Sequence, residues 1–269
     1  MKPLASFRKP PLHEVALMVQ FEAVTELTSA HIGSFWQEVR GRLPHIQEQL
    51  PLPGVPIERA GSKQGKLQLE IVQSPRIRTW FLDSEGRELV QIQHDRFIRN
   101  WRKTGEDDVY PRYEDHIRPR FAEDFTRFVD FVGSFGLGEV NPLQCEVTYF
   151  NRIRSAEPIW GKPSDMHNAM TTHQPPMLDN LPASYEQSQL GQTFIIHDGD
   201  EFIGRLYTEL SPIEIDGEAV IRYDLTARGR PKSPTVEGAM EFLDLGRRLI
   251  VECFERSTSA DMHEIWGKE

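Results

Sequence analysis

The chain has 269 residues, 38% hydrophobic and 27% charged, with a formal net charge of −10. That balance excludes wholesale disorder, and no apolar run approaches the ~20 residues that a membrane-crossing helix needs. The only cysteines, Cys145 and Cys253, are too few and too far apart for a disulfide framework, which fits a reducing cytoplasm.

Charge is uneven along the chain. Residues 1–140 carry 19 basic and 20 acidic side chains, whereas residues 141–269 carry 12 and 21. The acidic second half repels nucleic acid and anionic membrane at long range. Met1 to Pro11 is basic, contains proline and lacks an apolar run, so it does not read as a signal peptide.

The first element reads as a strand over residues 12–22, where Val15, Leu17, Val19 and Phe21 alternate with Glu14, Ala16, Met18 and Gln20. A helix over 29–50 follows, its stripe made by Ile32, Phe35, Trp36, Val39, Leu43, Ile46 and Leu50. Pro44 inside that pattern should kink or end it. Pro51, Pro53 and Pro56 then impose an irregular connection. Strands are expected at Lys66 to Val72 and Ile77 to Leu82, then a long extended run from Glu88 to Trp101. A second helix over 113–135 carries Tyr113, Ile117, Phe121, Phe125, Phe128, Val132 and Phe135, and Gly136 and Gly138 stop it.

The second half begins with a strand from Gln144 to Arg154, followed by an irregular, proline-rich stretch over 156–190. Strands over 192–197, 202–215 and 218–227 are separated by Asp198-Gly199 and Asp216-Gly217, both strong hairpin signals. A last helix spans 235–258. The order implies an α+β fold of antiparallel sheets with long helices packed on one face. It also suggests a duplicated strand–helix–strands–helix unit, with halves 1–140 and 141–269 packed as one compact body.

Several segments carry a resemblance: Pro10-Pro11-Leu12-His13-Glu14-Val15, Asp95-Arg96-Phe97 with Trp101, Tyr110-Pro111-Arg112-Tyr113 and Tyr149-Phe150-Asn151-Arg152-Ile153. With the closing Phe254, His263 and Trp266, the chain resembles a sporadically distributed family of bacterial and archaeal proteins of unknown function. The patchy distribution of that family implies horizontal transfer. It implies a role accessory to mobile elements, toxin–antitoxin pairs or phage defence.

The motifs of common chemistries are missing. There is no Cys-x-x-Cys or His-Glu-x-x-His for zinc, and Gly133-x-x-Gly136-x-Gly138 follows a helix, where a dinucleotide loop follows a strand. His167 and His173 beside Met166, Met170 and Met177 make a poor soft-metal set, and turn chemistry explains Asp198, Asp200 and Glu201. Arg228-Gly229-Arg230-Pro231 matches an AT-hook core but lies between a strand and a helix. No metal and no cofactor are expected, and no catalytic set points to an enzyme.

The strongest candidate surface is His94 to Lys103. On an extended strand Arg96, Ile98, Asn100 and Arg102 project one way, and Phe97, Arg99 and Trp101 the other. Arg112, Tyr113, Arg118 and Arg120 add to it downstream. Such a set can stack bases and hold phosphates, or it can build an internal ion-pair lattice, which the acidic neighbours favour. The expectation is a mixture, with Phe97 and Trp101 in the core and Arg96 and Arg102 outward. Asn151 and Arg152 intrude on an apolar strand, so Arg152 needs Glu146 or Asp224 as partner. A cavity under a helix there would mark a ligand pocket. The ligand- or partner-binding candidates are therefore Arg96, Arg99, Trp101, Arg102, Arg112, Tyr113, Asn151 and Arg152. The leading expectation is a cytoplasmic, non-enzymatic interaction or accessory subunit with a protein partner. The competing readings are a small-ligand binder with a sheet–helix cavity and a nucleic-acid binder using Arg96 to Arg120. A homodimer fits any of the three.

Overall fold

The computed structural model describes residues 3–61, 77–172, 174–176, 178 and 181–269. Among these residues, nine strands form one antiparallel sheet. They are β1 (Leu12–Phe21), β2 (His45–Gln49), β3 (Arg78–Leu82), β4 (Glu88–Gln93), β5 (Arg96–Arg102), β6 (Pro142–Arg154), β7 (Leu190–Asp198), β8 (Glu201–Ile215) and β9 (Glu218–Gly229). The helices are α1 (Ser29–Val39), α2 (Arg118–Ser134), α3 (Met166–Ala169), α4 (Val236–Ser257) and α5 (Ala260–Ile265). The fold is α+β, with no helix long and apolar enough to cross a membrane among the described residues.

The strand order is β2-β3-β4-β5-β1-β6-β9-β8-β7. Each half places its first strand at the centre, crosses to the outer edge of the sheet and meanders back strand by strand, then closes with a long helix. The two first strands pair with each other, from Leu12 opposite Asn151 to Phe21 opposite Pro142, so the sheet runs unbroken through both halves.

Several boundaries differ from those the sequence suggests. The first helix ends at Val39, and residues 45–49 form the edge strand β2. Pro44 is the reason: it has no N–H to donate and disfavours helical backbone before it. The extended run from Glu88 is two strands, because the His94 and Asp95 carbonyls turn aside to accept from Val24 N and Phe21 N. The second helix opens with a wide turn over Tyr113–Ile117 before the regular α2. Phe135, expected in its stripe, is exposed, and Phe131 is buried instead. The expected strand at Lys66 to Val72 lies outside the described residues. At the Asp216-Gly217 hairpin both residues take positive φ (53° and 81°), the conformation that this pair is suited to.

The helices pack on the face that carries Val15, Leu17, Val19 and Phe21, and those residues join Phe97, Phe121, Phe125 and Phe128 in one core. The opposite face is crossed by a strap, residues 50–59. Its three prolines leave it short of donors, and glutamines on three strands of the sheet bind it instead. Gln93 on β4 accepts from Leu52 N (2.9 Å) and donates to Leu52 O (3.2 Å). Gln20 on β1 donates to Val55 O (3.1 Å), and Gln144 on β6 accepts from Glu58 N (2.8 Å). The strap ends where the Glu58 carboxylate meets Arg205 and the Tyr207 hydroxyl of β8. This cover explains why Gln20, Gln93 and Gln144 are buried on a face that the sequence pattern marks as solvent-facing.

Candidate functional site

The aromatic–arginine strand resolves into two kinds of surroundings. Phe97 and Trp101 lie in the core, as expected. Arg96 does not point into solvent: it is 1% exposed and forms a bidentate pair with Asp95 (3.0 and 2.9 Å). Burial alone would raise the Asp95 carboxyl, but the Arg96 hydrogen bonds and charge outweigh it and hold Asp95 below its usual value. Arg99 faces the helices, where it meets Glu88 and donates to Asp124 (2.6 Å). Arg102 donates to Gly86 O (2.5 Å) and lies 5.9 Å from the Trp80 ring centre. Arg118 pairs with Asp244 and Arg120 with Glu123. An internal lattice therefore occupies most of this arginine set. Of the other motif residues, Arg228 sits within β9 and pairs with Glu146, and Arg230 pairs with Glu201. Asp198 pairs with Lys232 (2.7 Å), and His167 bonds the Ser164 carbonyl (3.0 Å); His173 and Met177 lie outside the described residues.

Arg112, Tyr113 and Asn151 come together elsewhere. They line a cavity of about 520 Å³ at the end of the sheet where β1 begins and β6 ends. Its floor is Tyr149 and Asn151 on β6. One wall is the wide turn with Tyr110 and Arg112 just before it, and the other is α4 with Arg247, Ile250 and Phe254. The N-terminal segment, through Leu4 to Phe7, roofs it. Phe7 packs edge-on against Phe254 and Trp266, and Arg8 N and Lys9 N donate to Gly267 O (3.1 Å) and Trp266 O (3.0 Å). His263 supports the roof from below, with its Nε2 2.7 Å from the Thr258 hydroxyl and its ring 5.3 Å from that of Phe7. Burial, then Lys268, lowers the His263 pKa below its ordinary value.

The polar groups in the cavity are arranged. The Tyr110 and Tyr149 hydroxyls lie 3.1 Å apart. Burial pushes both above the ordinary phenol range, so both stay protonated and can donate. The Tyr113 hydroxyl donates to Asp244 (2.9 Å), and its ring lies 5.3 Å from the Arg247 guanidinium carbon. Arg247 pairs with Glu114 (2.7 Å). Arg112 has no carboxylate partner among the described residues; it donates only to Ser6 Oγ (3.0 Å) and Phe7 O (3.1 Å). Its backbone is unusual, with φ 72° and ψ 147°. That region is nearly reserved for glycine, and another residue held there costs about 1–3 kcal/mol.

A second groove of about 730 Å³ lies across Pro10 and Leu12, with His13, Lys103, Arg152 and Arg154 in its lining. Arg152 pairs with Asp224 (2.8 Å), one of the two partners the sequence suggests. Burial, then the charges of Arg152 and Lys103, lowers the His13 pKa.

Tyr110, Tyr149 and Arg247 were not among the binding candidates read from the sequence. Signals for two of them exist in the sequence. Tyr149 shares a strand face with Asn151 two residues on. Arg247 stands within the apolar stripe Leu243, Ile250 and Phe254, where a charge needs a reason. Segments far apart in sequence, at Pro10–Leu12, Tyr110–Tyr113, Tyr149–Asn151 and Phe254, meet in this one lining. Compared with known proteins, the chain matches no family model, no curated protein and no solved structure.

Proposed function

We propose that the protein binds a small organic acid in the roofed cavity. The observation that carries this reading is Arg112: a non-glycine residue in strained backbone, whose guanidinium lies at the cavity wall without a carboxylate partner among the described residues. Strain of that kind persists where it serves a site, and a guanidinium fork suits a carboxylate. The paired phenols supply further donors. Leu4, Phe7, Ile250 and Phe254 suit an apolar body, and the volume fits a small ligand. Asp115 and Glu269 in the lining disfavour a polyanion, so the fitting class is a monocarboxylate.

The test is a thermal-shift panel of aromatic and aliphatic monocarboxylates, each beside its neutral amide, on the wild type and Arg112→Gly. Glycine suits the local backbone, so the variant should keep its unliganded stability within about 1 kcal/mol, strain relief offsetting the lost hydrogen bonds. A fitting acid at 100 times its Kd should stabilise the wild type by about 2.7 kcal/mol. Its amide, and the same acid on the variant, should do little. Equal shifts for wild type and variant, or none for any acid, would refute the reading.

A further inference from the structure

The two outer edges of the sheet are built differently. β2 has five residues, lies between Pro44 and Pro51, and carries Glu48. Short length, proline and charge are the devices by which edge strands avoid pairing with other chains. β7 has nine residues and keeps its one charge, Asp198, and a register irregularity at Ile196/His197 to its end: from Leu190 to Ile196 it reads Leu-Gly-Gln-Thr-Phe-Ile-Ile, without charge or proline. Among the described residues no strand covers its outer side. Phe194 and Ile195 are 45% and 56% exposed. Their cross-strand partners, Leu206 and Arg205, put them on opposite faces of the sheet, so apolar surface is open on both sides of this edge.

We infer that β7 is a dimerisation edge, occupied by β7 of a second copy of this chain running antiparallel to it. Charge placement argues for this occupant. The strand bears its charge at one end only, where Asp198, Asp200 and Glu201 form the hairpin tip. A two-fold axis through Phe194 sets the two tips at opposite ends, eight residues or about 27 Å apart at ~3.4 Å per residue. That exceeds the ~8 Å screening length at physiological salt, so the acidic tips of two copies do not oppose each other. The neutral middles meet instead: Phe194 lies beside its own counterpart, and Ile195 opposite Thr193 of the second copy. Such aromatic and β-branched pairs are what hold neighbouring strands together. A self-complementary patch is also what a two-fold dimer requires. The protein partner expected from the sequence is then a second copy, and this inference stands apart from the ligand reading.

The experiment is sedimentation velocity on the full chain across micromolar concentrations. Wild type should sediment as a dimer, twice the 31.0 kDa of one chain. Ile195→Lys and Phe194→Lys should each weaken the dimer at least 100-fold with an unchanged circular dichroism spectrum. Hydrogen exchange supplies a variant-free check: amides of residues 190–198 should gain protection as wild-type concentration rises. A monomeric wild type, a dimer that survives both substitutions, or concentration-independent exchange at β7 would each overturn the inference. A monomer that instead takes up a synthetic alternating Val-Thr peptide flanked by lysines would assign the edge to a foreign strand.

Discussion

The helix of the first half and the helix of the second half lie on the same face of one sheet, yet they meet it differently. Under α2 the interface is filled. Phe121 packs edge-on against Phe97, Phe125 and Phe128 pack tilted against it, and at the edge of the interface the fully buried Asp124 receives both Arg42 and Arg99. Under α4 the approach is close at one point and open at another. Gly246 lets the helix sit against Ala227 and Val147, while Arg247 beside it and Ile250 one turn on line the cavity. One interface spends its polar residues on closing a charge cluster, and the other keeps them around a space. A sheet can carry both because helix–sheet packing is local, set by the side chains beneath each turn.

The largest way to break the closed interface is Asp124→Ala. It leaves the buried Arg99 with Glu88 alone and the partly buried Arg42 with the more distant Glu123, and removing one partner of a buried ion pair costs about 3–5 kcal/mol. Urea unfolding should show that loss as a lowered midpoint with unchanged slope. Gly246→Val tests the open interface at its close point. A Cβ there would lie 3.1 Å from Ala227 Cβ and 3.2 Å from Val147 Cγ2, so a valine should cost about 1–3 kcal/mol by overpacking. If it costs nothing, α4 is not seated as described.

The smallest effect sharpens the contrast by pH. His263 beneath the cavity roof has a lowered pKa, so its contribution is present above the ordinary 6.5 and is lost as pH falls through the folded value. Asp95 in the first half also has a lowered pKa, and its contribution persists until pH drops below about 3.8. Acid titration followed by hydrogen exchange should therefore loosen the Phe7–Trp266 region first and the β4–β5 turn later. His263→Asn should shrink the earlier step to the part that His13, whose pKa is also lowered, supplies, and a single concerted loss in the wild type would contradict it.

Much of this was legible in the sequence, for a physical reason in each case. Alternation in β1 and the apolar stripe of α4 are periodic, and local turns such as Asp216-Gly217 depend on their own residues. The boundary at Val39 was legible too, since Pro44 was there to read, but the apolar spacing continued past it and pointed to a longer helix. Arg96 could not be placed. Alternation assigned it to a face, and only the strap shows that this face is covered. The cavity was legible in pieces: Arg112, Tyr113 and Asn151 each stand out, while their meeting depends on β6 lying beside β1 and on the N-terminal segment folding over both. Arg112 also has a positive φ that no neighbouring residue announces.

The seam between β1 and β6 has a consequence for how the chain is made. The ribosome releases β1 long before β6, and the whole of the first meander and α2 come between them. During that interval β1 can pair with β5 on one side, while its other margin waits with bare amides and carbonyls. Nascent intermediates with such margins are prone to wrong pairing, and long-range strand contacts form slowly. Slow translation through residues 142–154, or release of the first 140 residues alone, should therefore send the protein into aggregates. Cells that make it in quantity would need a chaperone at that stage of synthesis.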